Sequence, residues 1–524
     1  MTIRFLLIGL LLGALTACGA PTTPSAPPTL PVSAPPTGVP PTKAQPLPTV
    51  TIAPTVTPAS PVIASTTLPT AQPEKPTSAA QAGPANRVTR DMPQLIFPTA
   101  NGLMSVAANG TSLRLFSDAQ PAIVHQLEDG MAPVGGWVAF ASGDNPMTPD
   151  PEGKGPLTLN LLNVVDGTLT PITPLFSTDM EKAIKAAVTT GDRTDAIEAG
   201  IAIVNNSDTL KWSPDGRYLA FIAAIDGSSS DVYSYDRETG KINRLTDGAN
   251  QAANLFWSPD SHWIVHEEVE SFGSGAGWNV KAVWAAAPDN SSTRKLYDAT
   301  SSGGEMFVEW LTPNKFLVYS WTMMGLQNVR LVNLDTGEAH RIGPEFPVVA
   351  VAVDPEAQTL LTAVDSDTAR SNNLKGGLYL ASGAQQPHLI APGNWYEVRW
   401  LPLAQLFFAK GENGVISVTP DGAVKKYEGE EALPIDSLDG AWLLAWGDGN
   451  YTSPIGLRFY TPTGELKRTL TSDSAAFATW SPDASGVFYQ CDGQMYFVEI
   501  PNGEPVLMGE TTARELSNIG WVKP

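Results

Sequence analysis

From Gln94 to the C-terminus, apolar and polar positions follow one another in short runs broken by Gly, Pro, Asp and Asn. The stretch WSPDGRYLAF at 212–221 shows the rule: a turn, then an alternating run. Alternation with period two is the pattern of a strand buried on one face. Ser213-Pro214-Asp215-Gly216 has the residue order of a type I turn, with Pro at the second place and Gly at the fourth. Trp212 ends the strand before that turn, and Tyr218-Leu219-Ala220-Phe221 opens the strand after it.

The same phrase returns. Trp257, Pro259 and Asp260 occupy it at 257–266, and Trp480, Pro482 and Asp483 at 480–489. Looser versions stand at Trp310-Leu311-Thr312-Pro313, Val353-Asp354-Pro355-Glu356, Trp400-Leu401-Pro402 and finally Trp521-Val522-Lys523-Pro524. A second mark runs in step with the first. Gly turns occur at Asn109-Gly110, Asp166-Gly167, Thr239-Gly240, Thr336-Gly337, Ser382-Gly383, Asp421-Gly422, Thr463-Gly464 and Asn502-Gly503, and Pro288-Asp289-Asn290 fills one more such place. These are hairpin signals. Each unit therefore reads strand, turn, strand, loop, strand, Gly turn, strand. Repeats of about 40–50 residues with four strands each mark a β-propeller. A single four-stranded sheet cannot cover its own apolar faces, so the sheets must stack in a ring. The repeated Trp is the bulk that fills the wedge between neighbours. Three close copies of one box in one chain mean packing and turn geometry, not a catalytic site.

The ends fit closure of that ring. Residues 94–117 supply only three strands, and 515–524 supply one lone strand ending at Trp521. Together they make one blade. The fold class expected is all-β, a propeller of four-stranded antiparallel blades, with eight the best count and seven to nine the range. Residues 178–204 break the pattern. Thr178 with Glu181 and Asp195 with Glu198 have capping-box spacing, which predicts two short helices between the second and third units.

Upstream the pattern changes twice. Arg4 and the apolar run at 5–15 are too short for a comfortable membrane span and read as an export signal. Leu15-Thr16-Ala17-Cys18 matches a bacterial lipobox, so residues 1–17 are expected to be cleaved and Cys18 lipidated. Residues 18–86 follow as a linker. Eighteen prolines lie between Pro21 and Pro84, and Lys43, Glu74 and Lys75 are its only charges. Such a composition cannot bury enough apolar surface to order itself. As polyproline II at about 3.1 Å per residue it would reach roughly 200 Å. Residues 87–524 are the propeller domain.

Charge and cysteine content narrow the chemistry. The formal net charge of −21 repels phosphate backbones, so nucleic acid is not an expected partner. With Cys18 acylated, Cys491 has no intrachain partner, and no disulfide is expected. Cys491 reads as a buried strand residue. No G-x-S-x-G elbow, P-loop or dinucleotide fingerprint occurs. His262 and His266 are four apart, but alignment with Arg217-Tyr218-Leu219-Ala220-Phe221 places both on one strand face, about 13 Å apart, too far to share a metal. His125, His340 and His388 stand alone. The Asp-rich loops at 226–231 and 365–372 are lesser candidates for calcium, without a calcium-loop spacing. No cofactor is otherwise expected.

The WSPDG turn, the alternating strand and the sequence from Asp236 through Gly240 to Leu245-Thr246 resemble the TolB-type, WD40-like propeller repeat. They are also similar to the propellers that precede the hydrolase domain in prolyl-peptidase relatives. The resemblance is strongest over 207–248, and extends to 252–298 and 475–510. It implies an extracytoplasmic propeller that serves as a protein-binding platform, and no activity of its own. The expected function is a lipid-anchored, monomeric scaffold on a bacterial membrane, binding a protein or an envelope component without catalysis. The alternatives are an enzyme acting on carbohydrate or with a quinone at the central channel, and a solute-binding sensor.

Overall fold

The structure is a computed structural model that describes residues 92–149, 153–192, 194–271, 278–299, 305–322, 325–342, 348–356, 359–382, 386–427, 430, 432–447, 456–470 and 475–524. Contacts divide the chain into Met1–Ala82 and Gly83–Pro524, and every described residue belongs to the second unit. The export signal, Cys18, the linker and Gly383 lie outside the described residues.

The second unit is built from nine antiparallel sheets, eight of four strands and one of three. Nine blades stand at the top of the expected range and one above the best count of eight. Blade 1 joins both ends of the unit. Gly520–Val522 pairs with Gln94–Thr99, which pairs with Gly102–Ala107 and then Arg114–Phe116. Trp521 lies edge-on to Phe488 of blade 9, with centroids 5.5 Å apart, so the last strand is packed on both sides. Apolar clusters join successive blades. One ties Ile96 and Leu103 of blade 1 to Val138 and Leu162 of blade 2. Another ties Leu95 and Phe97 to Phe477 and Phe488 of blade 9.

Blade 2 is the irregular one. Its inner strand is replaced by two short 3-10 turns, Val124–Gln126 and Glu128–Gly130. Its three strands are Trp137–Ser142, Thr158–Asn163 and Leu169–Pro174. The repeat turn survives there as Ala132-Pro133-Val134-Gly135. Ala132 N–H donates to Trp137 C=O at 2.9 Å, as Ser213 N–H donates to Tyr218 C=O at 2.8 Å in blade 3.

The turn itself explains its residues. Ser213 Oγ donates to Asp215 Oδ1 at 2.5 Å and accepts from Tyr218 N–H at 2.9 Å, while Asp215 Oδ1 accepts from Arg217 N–H at 3.0 Å. Ser258 and Asp260 repeat these bonds in blade 4. In blade 9 the two backbone bonds recur, Ser485 N–H to Asp483 Oδ1 at 3.1 Å and Gly486 N–H to Ser481 Oγ at 3.0 Å, and Ser485 Oγ donates to Asp483 Oδ1 at 2.7 Å. Blade 8 holds a copy that its sequence disguises, Ser437-Leu438-Asp439-Gly440, with the same Ser-to-Asp bond at 2.5 Å. The fourth place of the turn lies in the left-handed region, at φ 72° for Gly216, 67° for Gly440, 63° for Ser261 and 57° for Ala484.

The insertion forms helix α1, Thr178–Thr190, and helix α2, Asp195–Gly200. The caps sit one residue earlier than the spacing predicts. Ser177 Oγ accepts from Met180 N–H, and Thr194 Oγ1 accepts from Ile197 N–H. Thr178 and Asp195 are thus first-turn residues. A hydroxyl in extended backbone just ahead of each helix reaches the third amide, and this outcompetes the box. α1 buries Met180, Ile184 and Ala187, and Lys185 pins it to Asp144 at 2.8 Å.

Candidate functional site

The first strand of each four-stranded sheet after the first lies innermost, because these strands are the ones that touch between neighbouring blades. The repeated Trp makes the contact. Trp212 Nε1 donates to Gly130 C=O at 2.8 Å, Trp257 Nε1 to Lys211 C=O at 2.9 Å and Trp480 Nε1 to Ile435 C=O at 3.4 Å. Each indole thus hangs on the inner segment of the preceding blade, one residue before that blade's own repeat position. Pro214, Pro259 and Pro482 stand beside these indoles in the turns, preset for their second place. Register places Asp436 of blade 8 where the others carry Trp: Asp436 pairs with Leu443 as Trp212 pairs with Leu219. Asp436 Oδ2 accepts from Leu403 N–H at 2.8 Å and Ala404 N–H at 3.3 Å, both in the turn of blade 7. Burial pushes its carboxyl above the usual value, against the pull of those two amides.

A second set of clamps works at the rim. Arg114 of blade 1 donates to Val164, Val165 and Asp166 carbonyls of blade 2 at 3.0–3.1 Å. Arg294 of blade 4 reaches Leu334 and Asp335 of blade 5, and Arg468 of blade 8 reaches Pro501 and Gly503 of blade 9. Asn243 does the same to Pro288 at 3.1 Å. All these carbonyls lie in or beside the Gly turns. A Cβ on Gly337, at φ 72°, would meet Leu296 C=O at 2.4 Å, so close blade approach demands glycine there. The repeat residues are therefore consumed in architecture.

Other polar groups lie on the inner segments. In blades 2–4, Lys211 sits between Asp129 at 2.9 Å and Asp208 at 2.5 Å. Gln126 donates to Ile203 and Asn206 carbonyls at 3.0 and 3.1 Å. Asn206 donates to Asn254 Oδ1 at 3.2 Å, and Asn254 donates to Glu267 at 2.7 Å. This is a polar band of amides and paired charges. In blade 7, Arg399 Nη2 lies 3.5 Å from Glu397, and burial holds its guanidinium below the usual range. Such groups bind and orient polar ligands.

The other candidates resolve differently. His262 lies in the turn before the strand Ile264–Ser271, with its side chain 75% exposed, and only His266 is on that strand. The two do not share a strand face, because the repeat turn runs two residues further than alternation implied. His266 is buried, neither ring nitrogen has a hydrogen-bond partner, and burial lowers its pKa to about 4. His340 and His388 are exposed, and His125 is half-buried. In the loop at 226–231, Asp231 already accepts from Arg244 and Thr246 at 2.7 Å each. The loop at 365–372 is helix α3, Ser366–Ser371, capped by Asp365. Among the described residues no three His, Cys, Asp or Glu side chains form a metal-holding group. Cys491 is buried and forms no disulfide among the described residues.

The class these sheets define is a nine-bladed β-propeller. No protein-family profile matches the chain. A 55-residue stretch is 40% identical to the uncharacterized peptidase YuxL of Bacillus subtilis strain 168, covering 10% of this chain and 8% of that protein. A 96-residue stretch is 31% identical to the uncharacterized protein Atu1656 of Agrobacterium fabrum, covering 18% of this chain and 29% of that one. The chain thus matches far less than two thirds of either relative. Among solved structures, a eukaryotic initiation factor covers 82% of this chain and 98% of its own at 11% identity and TM-score 0.48. Apo AztD from Citrobacter koseri covers 75% and 98% at 10% identity and TM-score 0.39.

Proposed function

We propose that this chain is a lipid-anchored, extracytoplasmic propeller that binds a protein or an envelope component at its channel face and does not transform it. The lipobox ending at Cys18 supplies the anchor, and the Pro-rich residues 18–86 supply reach. The resemblance of the repeat to the TolB type supports an extracytoplasmic binding role. One observation carries the reading. The recurrent chemistry of the repeat, Ser–Asp turns and Trp indoles, is spent on turns and on joining blades, while the inner segments carry amides and paired charges. That is equipment for recognition.

The test uses the full chain in a bacterial host. Mass spectrometry of the N-terminal peptide is expected to find a diacylglyceryl group on Cys18, and Cys18→Ala is expected to release the protein from membranes. A panel of peptides and glycans is expected to pass the purified chain unchanged. Robust turnover of any of them would overturn the non-catalytic reading, and an unmodified Cys18 would overturn the anchoring.

A further inference from the structure

The two ends of the blades are built differently. Neighbouring strands of a blade run antiparallel, so the turn from first to second strand and the turn from third to fourth lie at one end. The repeat turns and the Gly turns therefore share that end, the turn face. The opposite face carries the insertions. Helices α1 and α2 lie between the outer strand of blade 2 and the inner strand of blade 3, and α3 joins Thr359–Val364 to Gly377–Ser382 in blade 6.

Ten large apolar side chains are exposed among the described residues, and nine of them stand at the turn face. Leu403 and Leu438 occupy the repeat turns of blades 7 and 8, at 48% and 51% exposure. Val424, Leu466 and Val506 each open an outer strand just after a Gly turn, in Val424–Tyr427, Leu466–Leu470 and Val506–Glu510. Leu507 follows Val506, and Leu113 and Leu115 of blade 1 and Val134 of blade 2 complete the set. All nine fall in blades 7, 8, 9, 1 and 2, which are consecutive around the closed ring. Their turn ends touch. A Cβ on Gly440 of blade 8 would come within 3.2 Å of Leu403 C=O in blade 7, and one on Gly110 of blade 1 would meet the Phe497 ring of blade 9 at 2.5 Å. Arg468 of blade 8 donates to Gly503 C=O of blade 9 at 2.6 Å, and Arg114 of blade 1 to Val165 C=O of blade 2 at 3.1 Å. An apolar surface gathered in one arc of one face marks a docking site.

The course of the chain points to what covers it. The described residues begin at this same face, inside this same arc. Gln94 pairs with Val522 and Ala107 at the turn end of blade 1, and Pro93 C=O accepts from Ala108 N–H at 2.9 Å. Residues 18–91 and the anchor expected on Cys18 lie upstream of that point. The charge fits as well. At this end of blades 7 and 8 the exposed Lys425, Lys426 and Lys467 balance the exposed Asp421, Asp439 and Glu465, on a chain of net charge −21.

We propose that the turn face of blades 7, 8, 9, 1 and 2 docks on the lipid surface that holds the anchor, leaving α1, α2 and α3 turned outward to a partner. The apolar side chains enter the interfacial layer and the lysines reach the lipid phosphates. Asp483, Glu499 and Glu504 of blade 9 favour a zwitterionic bilayer over an anionic one. Tethering makes the docking intramolecular, so a weak contact suffices. The inference rests on the anchored reading and adds an orientation to it.

The full chain, purified with its lipid and reconstituted in phosphatidylcholine vesicles, provides the test. With Cys18 acylated and Cys491 buried, a polarity-sensitive dye attaches at one introduced cysteine. Leu438→Cys and Val506→Cys place it on the turn face, and Asp367→Cys places it on α3 of the opposite face, where the side chain is 90% exposed. A nitroxide on the lipid acyl chain is expected to quench the dye at 438 and 506 at least about threefold more than at 367. Leu403→Ser combined with Leu466→Ser is expected to cut that quenching by about half. Both leucines are exposed, so an unchanged melting temperature certifies the fold of this variant. Equal quenching on the two faces, or none at 438 and 506 while the chain floats with the vesicles, overturns the docking and leaves the anchor standing. Dye shifts at 438 and 506 that need no lipid and follow a dimer in sedimentation assign the face to a second copy, and overturn it too. A chain that does not float with the vesicles removes the anchor and the docking together.

Discussion

In blade 4 the inner strand ends at Trp257, whose indole donates one hydrogen to the backbone of blade 3. In blade 8 the same position is Asp436, which accepts two hydrogens from the backbone of blade 7. The joint is the same and the polarity is reversed. Beside Asp436 the 7–8 interface carries a further ionic core. Glu430, 1% exposed, takes Arg458 in two bonds of 2.5 and 2.7 Å and the Tyr460 hydroxyl at 2.7 Å. Burial and that carboxylate push the Tyr460 hydroxyl upward. The lesson is that where a bond ties the inner segments, as at the 2–3, 3–4, 7–8 and 8–9 joints, a tryptophan is not required to make it. A large apolar ring with one donor tolerates variation around it. An ionic joint does not, because removing either partner strands the other in a dry place.

The comparison breaks most sharply at Glu430. Glu430→Ala is expected to cost about 3–5 kcal/mol in urea unfolding, because Arg458 stays buried without its partner. Glu430→Leu together with Arg458→Met is expected to cost far less, within about 2 kcal/mol of the parent. Equal losses for the two variants would show that the pair has no such coupling.

Acid sharpens the contrast between the two blades. His266 of blade 4 has a folded pKa of about 4 against 6.5 when free. Its neutral form therefore contributes stability that is full above 6.5 and lost as pH falls through 4, on the order of 3 kcal/mol. Asp436 runs the other way. Its folded pKa is raised above 3.8, so its contribution favours folding at low pH and is lost as pH rises through the raised value. His266→Phe, which copies Phe221 of blade 3, is expected to flatten stability between pH 4 and 6.5. Unchanged acid sensitivity in that variant would assign the effect elsewhere.

At the Asp436 joint, Asp436→Ala is expected to cost about 1–2 kcal/mol, since the Leu403 and Ala404 amides lose their acceptor. Asp436→Asn keeps an acceptor and sheds the buried charge, so it is expected to stay within about 1 kcal/mol at pH 7 and to lose the pH term. The smallest effect lies in the turns. Ala484→Gly relieves left-handed backbone and is expected to gain about 1 kcal/mol, read as a raised urea midpoint, while Ser261→Gly is expected to gain less because Asp215 N–H loses its acceptor at 3.1 Å.

Much of this architecture is legible in the residues. Trp212, Trp257 and Trp480 with their Pro and Asp companions mark blades 3, 4 and 9 because turn chemistry is local. Blade 8 escapes the same reading. Its Ser437-Leu438-Asp439-Gly440 turn lacks Pro, and Asp436 replaces the preceding Trp. Blade 2 escapes because Ala132 and Val134 leave out both polar turn residues, and helical turns take the inner strand. The rim clamps of Arg114, Arg294 and Arg468 leave no pattern at all, since a backbone carbonyl accepts from any donor and names no partner residue. The channel is harder still. Phe256, Phe307 and Tyr396 read as ordinary strand aromatics, and only the register of pairing shows that they stand at or beside irregularities of the inner strands.

The account depends on a ring closed by its own last strand. Hydrogen–deuterium exchange of the peptide spanning 515–524 in the native protein tests this most directly. The strand-paired amides among Gly520, Trp521 and Val522 are expected to be protected as strongly as those of Gly486–Cys491 in blade 9, opening only with global unfolding. Exchange of that peptide within seconds, while blade 9 stays protected, would contradict the closed ring.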